Sequence, residues 1–429
     1  MFLGKYGAMA GAVAVAACWP FATGQIAQSM YEREVAQFSS PDITVEQREY
    51  HRGYLDSRAL TRLHFKGDVK LALEEAGLPS EYDLSSEITH GVLGVSSTNT
   101  LVLTPELQTL TQRLWPGNPT PIRLDMETLV TGASDYQLTV APFSFTNEGK
   151  NLTASELTLM GSLARDGEIT FDFNWPAAAL NADNGEQIKI DTAKGQGRGY
   201  LQDDLWIGEQ AFSVEGMRLV DTSNQAYRVG KSQIQISNQM VNADENTRAR
   251  IDNANRITVS SFTLPDNSEW RNIALVFDAK GLDYQAMATI AGLSSDLENP
   301  EQVDALDQAM TTLLQQGLAL DIAPASITLP DGDVSANVAL NLAKVDPQAA
   351  AQLDLNALVS RLSGNIDITV PDALLSQPQW QAKKQQLIKA GYATMNEGQF
   401  ELTATIEGNQ IVSSNGESMP LMLFAMLMI

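Results

Sequence analysis

The stretch SELTLMGSLARDGEITFDFNWP, residues 155–176, decides the fold. Leu157, Leu159 and Leu163 alternate with polar residues, and after Asp166-Gly167 the residues Ile169, Phe171, Phe173 and Trp175 alternate again. A period of two puts one set of side chains on one face of a strand. The Asp-Gly break between two such runs predicts a β-hairpin with a type I′ turn and one apolar face. The same pattern recurs in GEQIKIDTAKGQGRGYL, DLWIGEQAFSVEGMRLV, YRVGKSQIQIS, RITVSSFTL and NIALVFDAKGL. It returns in ASITLPDGDVSANVALNLA, where Ile327 and Leu329 meet Val334, Val338, Leu340 and Leu342 across Asp331-Gly332, and again in GNIDITVP and GQFELTATIEGNQIVSSNG. Successive hairpins of this kind predict an extended, curved antiparallel meander with one buried and one wet face.

Helical spacing interrupts the meander in the C-terminal half. Over 299–317, Asn299 is a candidate cap and Pro300 a first helical residue. Val303, Leu306, Met310, Leu313 and Leu314 form the stripe, and Gly317 is the stop. Two more amphipathic segments fall over 346–362, with Leu353, Leu355 and Leu358, and over 377–395, with Trp380, Leu387 and Ile388. Their apolar stripes read as core. The fold class is α+β, mostly β.

The 429 residues, 44% hydrophobic, suffice for a large core, and length alone allows two or three domains. A net charge of -24 argues against nucleic acid, which is bound by clustered Lys and Arg that displace counterions. The single cysteine, Cys18, rules out an intrachain disulfide or a Cys-rich metal site. No HExxH and no G-x-S-x-G motif is present. No metal and no cofactor is expected.

From Tyr6 to Gly24 no charge appears. About 20 helical residues cross a hydrocarbon core of roughly 30 Å, so residues 1–25 are expected to be a cytoplasmic tip and membrane anchor, with Tyr6, Val13, Val15, Trp19 and Phe21 in the membrane. Two alternatives stay open: a cleaved signal peptide with Ala14 and Ala16 near the cut, or a lipoprotein leader in which Val15-Ala16-Ala17-Cys18 directs lipidation of Cys18. Lys5 supplies the positive inner flank, which places residues 26–429 outside the cytoplasm, on the periplasmic side of an inner membrane. QIAQSMYEREVAQF after the anchor suits a short helix. The final PLMLFAMLMI is apolar but too short to span; docking on the protein's own sheet is the main expectation, membrane or partner contact the other.

Candidates for chemistry are few. YHRGYLDS, residues 50–57, with His90 offers His51, Arg52 and His90 for an anion or for acid-base work, with Asp56 as a carboxylate. The competing reading is a structural turn in which Tyr50 packs and Gly53 relieves the backbone, and it is preferred because a hydrolytic site presents a fuller constellation. Glycines 195, 197 and 199 in KGQGRGY lack the following helix of a phosphate loop and read as a hairpin turn. Asp183-Asn184-Gly185 and Asp331-Gly332-Asp333 lack a calcium-loop ladder and read as turns as well.

YHRGYLDS, ITHGVLG at 88–94, LDIAPASITLPDGDVSANVALNLA at 320–343 and GNQIVSSNGESM at 408–419, with the N-terminal ACWPFATGQI, resemble the YdgA-like family of Gram-negative envelope proteins, a family of unknown function. The resemblance implies an uncleaved N-terminal helix holding a periplasmic region at the inner membrane, and self-association into a homodimer. It implies no catalytic residues. Two functions from different classes follow: a non-enzymatic envelope component that binds a lipid or other apolar ligand, or an envelope protein partner; and a periplasmic hydrolase-like enzyme using His51, Arg52 and His90.

Overall fold

The computed structural model describes residues 43–53, 56–75, 78–91, 94–129, 131–147, 149–241, 248–293, 300–352 and 354–428. The expected anchor, with Tyr6, Val13, Val15, Trp19, Phe21 and Cys18, and the short helix after it lie outside the described residues. No helix among the described residues is long and apolar enough to cross a membrane. The chain is mostly β and antiparallel, and it divides into two compact units, Met1–Gln225 with Ala291–Val303 and Ala226–Ile290 with Asp304–Ile429.

In the first unit β1 (Ile43–Arg52), β2 (Asp56–Phe65), β3 (Glu81–His90), β4 (Gly94–Leu101), β5 (Ile122–Leu129) and β6 (Ser134–Val140) each pair antiparallel with the next. Helix α1 (Gly67–Glu75) follows β2, and α2 (Pro105–Leu114) follows β4, capped by the Thr104 hydroxyl, which accepts from Leu107 N. After β6 come the short hairpin β7 (Phe143–Asn147) and β8 (Lys150–Ala154), then β9 (Leu157–Leu163) and β10 (Ile169–Ala182). β9 returns to lie beside β6, while β10 is long enough to pair with β9 along its first half and β8 along its second. β11 (Gln187–Gln202) runs the length of β10, and β12 (Leu205–Val214) and β13 (Met217–Val220) divide β11 between them. Met126, Tyr136, Leu159, Ile169, Phe171 and Trp206 form the core of this unit.

The deciding hairpin is present, but its turn differs from the expected type. Ala164 N donates to Glu168 O, Gly167 N donates to Ala164 O, and only Gly167 has a positive φ, +89°. That is a type I turn closed by a glycine bulge; a type I′ turn would need positive φ at both central residues. Five more hairpins among the described residues repeat the arrangement, closing Leu129 to Ala133, Ala182 to Glu186, Asp221 to Gln225, Leu264 to Ser268 and Ser413 to Glu417, with Gly132, Gly185, Asn224, Asn267 and Gly416 at the positive-φ position. The Asp or Asn side chain two residues into the turn accepts the closing amide in several of them: Asp166 from Glu168 N, Asn184 from Glu186 N, Asp266 from Ser268 N and Asn415 from Glu417 N. True two-residue turns with both φ positive join β11 to β12 at Asp203-Asp204 and recur at Glu397-Gly398.

In the second unit β14 (Ala226–Val229) and β15 (Ser232–Val241) both pair with β16 (Arg250–Thr263). From there β17 (Glu269–Asp283), β18 (Leu318–Leu329), β19 (Gly332–Leu342) and β20 (Leu362–Pro371) continue the meander. Helices α3 (Tyr284–Gly292) and α4 (Pro300–Gln316) lie between β17 and β18, and Gly317, φ +73°, ends α4 as expected. Leu313 of the expected stripe is buried and Leu306 and Leu314 are partly buried, but Val303 and Met310 are exposed, and Ala309 takes the remaining buried position of α4. Two short helices, α5 (Pro347–Ala351) and α6 (Leu355–Ser360), occupy the second helical segment; Leu355 is exposed rather than core. A 3-10 turn over Asp372–Leu375 and α7 (Pro378–Lys389) precede β21 (Ala393–Asn396), β22 (Gln399–Glu407), β23 (Gln410–Ser413) and β24 (Ser418–Pro420). β22 pairs with β20, β21 and β23, and the chain closes in α8 (Leu421–Met428). Leu387, Tyr392, Phe400, Leu402, Ile411 and Phe424 build the core here.

Candidate functional site

Tyr50, His51 and Arg52 are the last residues of strand β1, not a turn; the turn begins at Gly53, whose N donates to Asp56 O. Alternation sorts the candidates by face. His51 stands opposite Arg58, and Arg58 opposite Glu87. Arg52 stands opposite Ser57, and Ser57 opposite Ile88, two residues before His90. His51 and Asp56 therefore share one face of the sheet and Arg52 and His90 the other, and the structure does not bring the four together. His51 is solvent-exposed, and its ring lies 3.5 Å from the carboxylate of its strand neighbour Glu49. His90 Nε2 lies 3.0 Å from Ser57 Oγ, and Tyr50 OH donates to the same oxygen at 3.2 Å. Ser57 is 3% exposed, so its hydroxyl is closed to an electrophile, and the three side chains tie β1, β2 and β3 together.

β1 pairs only with β2 among the described residues, and its exposed positions explain its composition. Glu46, Arg48, Glu49, His51 and Arg52 are charged or titratable, and the register slips between Gln47 and Glu49. Charges and a bulge are what keep a strand edge from recruiting another chain. On the same hairpin Arg62 makes a bidentate pair with Asp83, at 2.6 and 2.8 Å. The Asp83 carboxyl is held below its ordinary range, first by that hydrogen bond and then by the charges of Arg62 and Arg48 against an opposing burial. The two ring nitrogens of His64 face Glu46 at 3.3 Å and Glu81 at 3.2 Å. Among the described residues no three His, Cys, Asp or Glu side chains are placed to hold a metal.

KGQGRGY is not a turn either: it lies inside β11. A Cβ at Gly195 would come 2.6 Å from the Phe212 ring, and one at Gly197 would overlap the Phe171 ring. The glycines are floors on which aromatic rings of neighbouring strands lie, Phe171 and Phe212 stacked at 6.0 Å and Phe171 edge-on to Trp206 at 6.0 Å. Tyr136 lies over Gly161 in the same way; its hydroxyl donates to Thr170 O at 2.9 Å, and burial pushes its phenol well above the ordinary range.

The second unit carries an apolar sheet face that is only partly covered. Ile234, Ile257, Leu275, Ala325, Ala336 and Ile368 stand opposite one another across β15 to β20. The next row on the same face is Ile236, Asn255, Phe277, Ile322, Val338 and Ile366. At its β20 end this face packs into the core, with Ile366 and Ile368 against the cluster of Leu402 and Phe400. At its β16 and β17 end it does not: Ile257 is 38% exposed and Leu275 39%. The opposite face holds Arg256, Thr258, Asp278, Asn337, Asn341 and Asp367. Where the apolar rows end, amides take over: Asn253 donates to Asn238 at 2.6 Å, and Asn255 donates to Asn253 and to Phe277 O.

The model of a bacterial protein family of unknown function, DUF945, matches residues 5–422, nearly the whole sequence. The chain belongs to the DUF945 family. No curated protein and no solved structure matches it. The description of DUF945, a bacterial protein of unknown function, assigns no chemistry to its members.

Proposed function

We propose that this DUF945 chain is a membrane-tethered, non-enzymatic component of the bacterial envelope that binds a lipid acyl chain along the apolar face of β15 to β20. The observation that carries the reading is the half-exposed row through Ile257 and Leu275, large aliphatic side chains left open on a face whose far end is core. The five strands β15 to β19, short of the end that packs into the core, at about 4.8 Å spacing make the row roughly 19 Å long, more than the ~15 Å of one leaflet's hydrocarbon. Its side chains offer no hydrogen bond along that length, which suits a methylene chain and not a peptide, whose backbone would need partners. The tether rests on the uncharged run from Tyr6 to Gly24 after Lys5, and the envelope on the likeness to YdgA-like proteins.

The test is to purify the full chain from membranes in mild detergent and weigh it intact with whatever it carries. Lipid is expected to accompany the native chain. Ile257→Asp with Leu275→Asp, at positions already open to water, is expected to lower the bound lipid at least about tenfold, which corresponds to ~1.4 kcal/mol. Thr258→Asp, on the other face, is expected to leave it unchanged. A native chain that arrives free of lipid, alone or as a dimer joined through this face, overturns the reading.

A further inference from the structure

Helix α8, Leu421–Met428, is made of LMLFAMLM and carries no charged or polar side chain. It is fixed to the body at its start and along one side. Leu421 N donates to Asn409 O at 2.8 Å, and the Phe424 ring lies 5.4 Å from that of Tyr392 within the core. Phe424 is 5% exposed, whereas Met422, Leu423 and Met426 are 57%, 50% and 70% exposed. The side that could dock on the protein's own sheet has already done so, and what remains is a ridge of aliphatic and thioether groups facing outward. Exposed single apolar residues are ordinary, but three on two turns of a helix with no polar partner are not.

We infer that α8 is a second membrane contact: its Met422, Leu423 and Met426 side enters the interface of a lipid bilayer, and the inference rests on the tether of the proposed function. Two arguments favour lipid over a second copy of the chain. The three side chains offer on the order of 300 Å², well short of the roughly 800 Å² per partner of a stable protein interface. A protein interface would also want a polar rim, and no residue after Glu417 carries a charge. A bilayer asks for neither. A chain with net charge -24 is repelled by anionic headgroups, so an uncharged ridge is the kind of surface through which it can approach them. An interfacial contact this small is weak alone, and membrane attachment takes two signals; with the tether, the contact becomes intramolecular and needs no great affinity.

The experiment replaces Met426 by dansylalanine in the full-length chain, which leaves Cys18 in place, and mixes it into vesicles of phosphatidylethanolamine and phosphatidylglycerol with and without brominated acyl chains. The expected result is that the chain floats with the vesicles, the dansyl emission shifts to the blue, and brominated lipid quenches it. Adding Met422→Glu is expected to remove the shift and the quenching while the unfolding midpoint stays where it was. Flotation with an unshifted, unquenched probe overturns the α8 contact and leaves the tether standing. A blue shift that brominated lipid does not quench, and that fades as the chain is diluted into more vesicles, assigns the ridge to a second copy and overturns it as well. Failure to float at all sinks the tether, and this inference with it.

Discussion

At the residue scale, charge pairing and close packing account for positions whose sequence signal was ambiguous. Asp83 is the clearest electrostatic case. Its pKa is depressed in the folded chain by Arg62, so its contribution to stability is present above the unfolded carboxylate value of about 3.9 and is lost as the pH falls through the folded value. Asp83→Asn is therefore expected to lower the urea midpoint at neutral pH, and the difference from the native chain is expected to close as the pH is taken below about 4. A difference that persists unchanged in acid would assign the loss to packing instead. Glycine 197 shows why some residues could not be read from the sequence. A glycine every second residue looks the same in a turn and in a strand, and what separates the two is an aromatic ring from another strand, Phe171, that the local sequence does not announce. The YHRG segment failed for a related reason. Its histidine and arginine look like chemistry, and only the pairing register shows that they end a strand and stand on opposite faces of it.

At the scale of elements, strands were legible from Leu157 onward, where a two-residue period survives in β9, β10, β18, β19, β20 and β22, whereas β1 to β8 and the helices α1 and α2 between them were not read. Turn type was not legible, since Asp-Gly serves both a two-residue turn and the type I turn with a bulge; the strand register around it makes the choice. The bulge position takes glycine in four of the six related turns among the described residues and asparagine in two, Asn224 and Asn267. At Gly167 nothing lies within 4 Å of where a Cβ would stand, so backbone conformation alone sets the cost there. Gly167→Asn is expected to be tolerated to within a few tenths of a kcal/mol, and Gly167→Val to cost about 1–2 kcal/mol in chemical denaturation, the difference arising from the left-handed conformation. Equal losses for the two would mean that something other than φ governs the turn. The α4 stripe was legible at Leu306, Leu313 and Leu314 but not at Val303 and Met310, which are exposed; Ala309, too small to weigh in a hydropathy reading, is buried instead.

For the whole molecule, the sequence foretold a β-rich body but not its division after Gln225, because hairpins of one grammar run through both units and no linker composition marks the change. The charge of -24 acts at this scale alone. It keeps a body with open aliphatic rows dispersed, so light scattering is expected to rise steeply as the pH approaches the pI near 4.4, and to rise weakly with added salt at neutral pH. A chain that stays monodisperse at its pI would show that the open rows are not adhesive. The pairing order has a further consequence. From β15 through β20 each strand's partner is one of the two just made, so every newly delivered segment finds its template already in place. The sheet of the second unit can therefore lengthen one strand at a time in the order of synthesis, each addition closing a loop to the strand just before it rather than waiting on a distant partner.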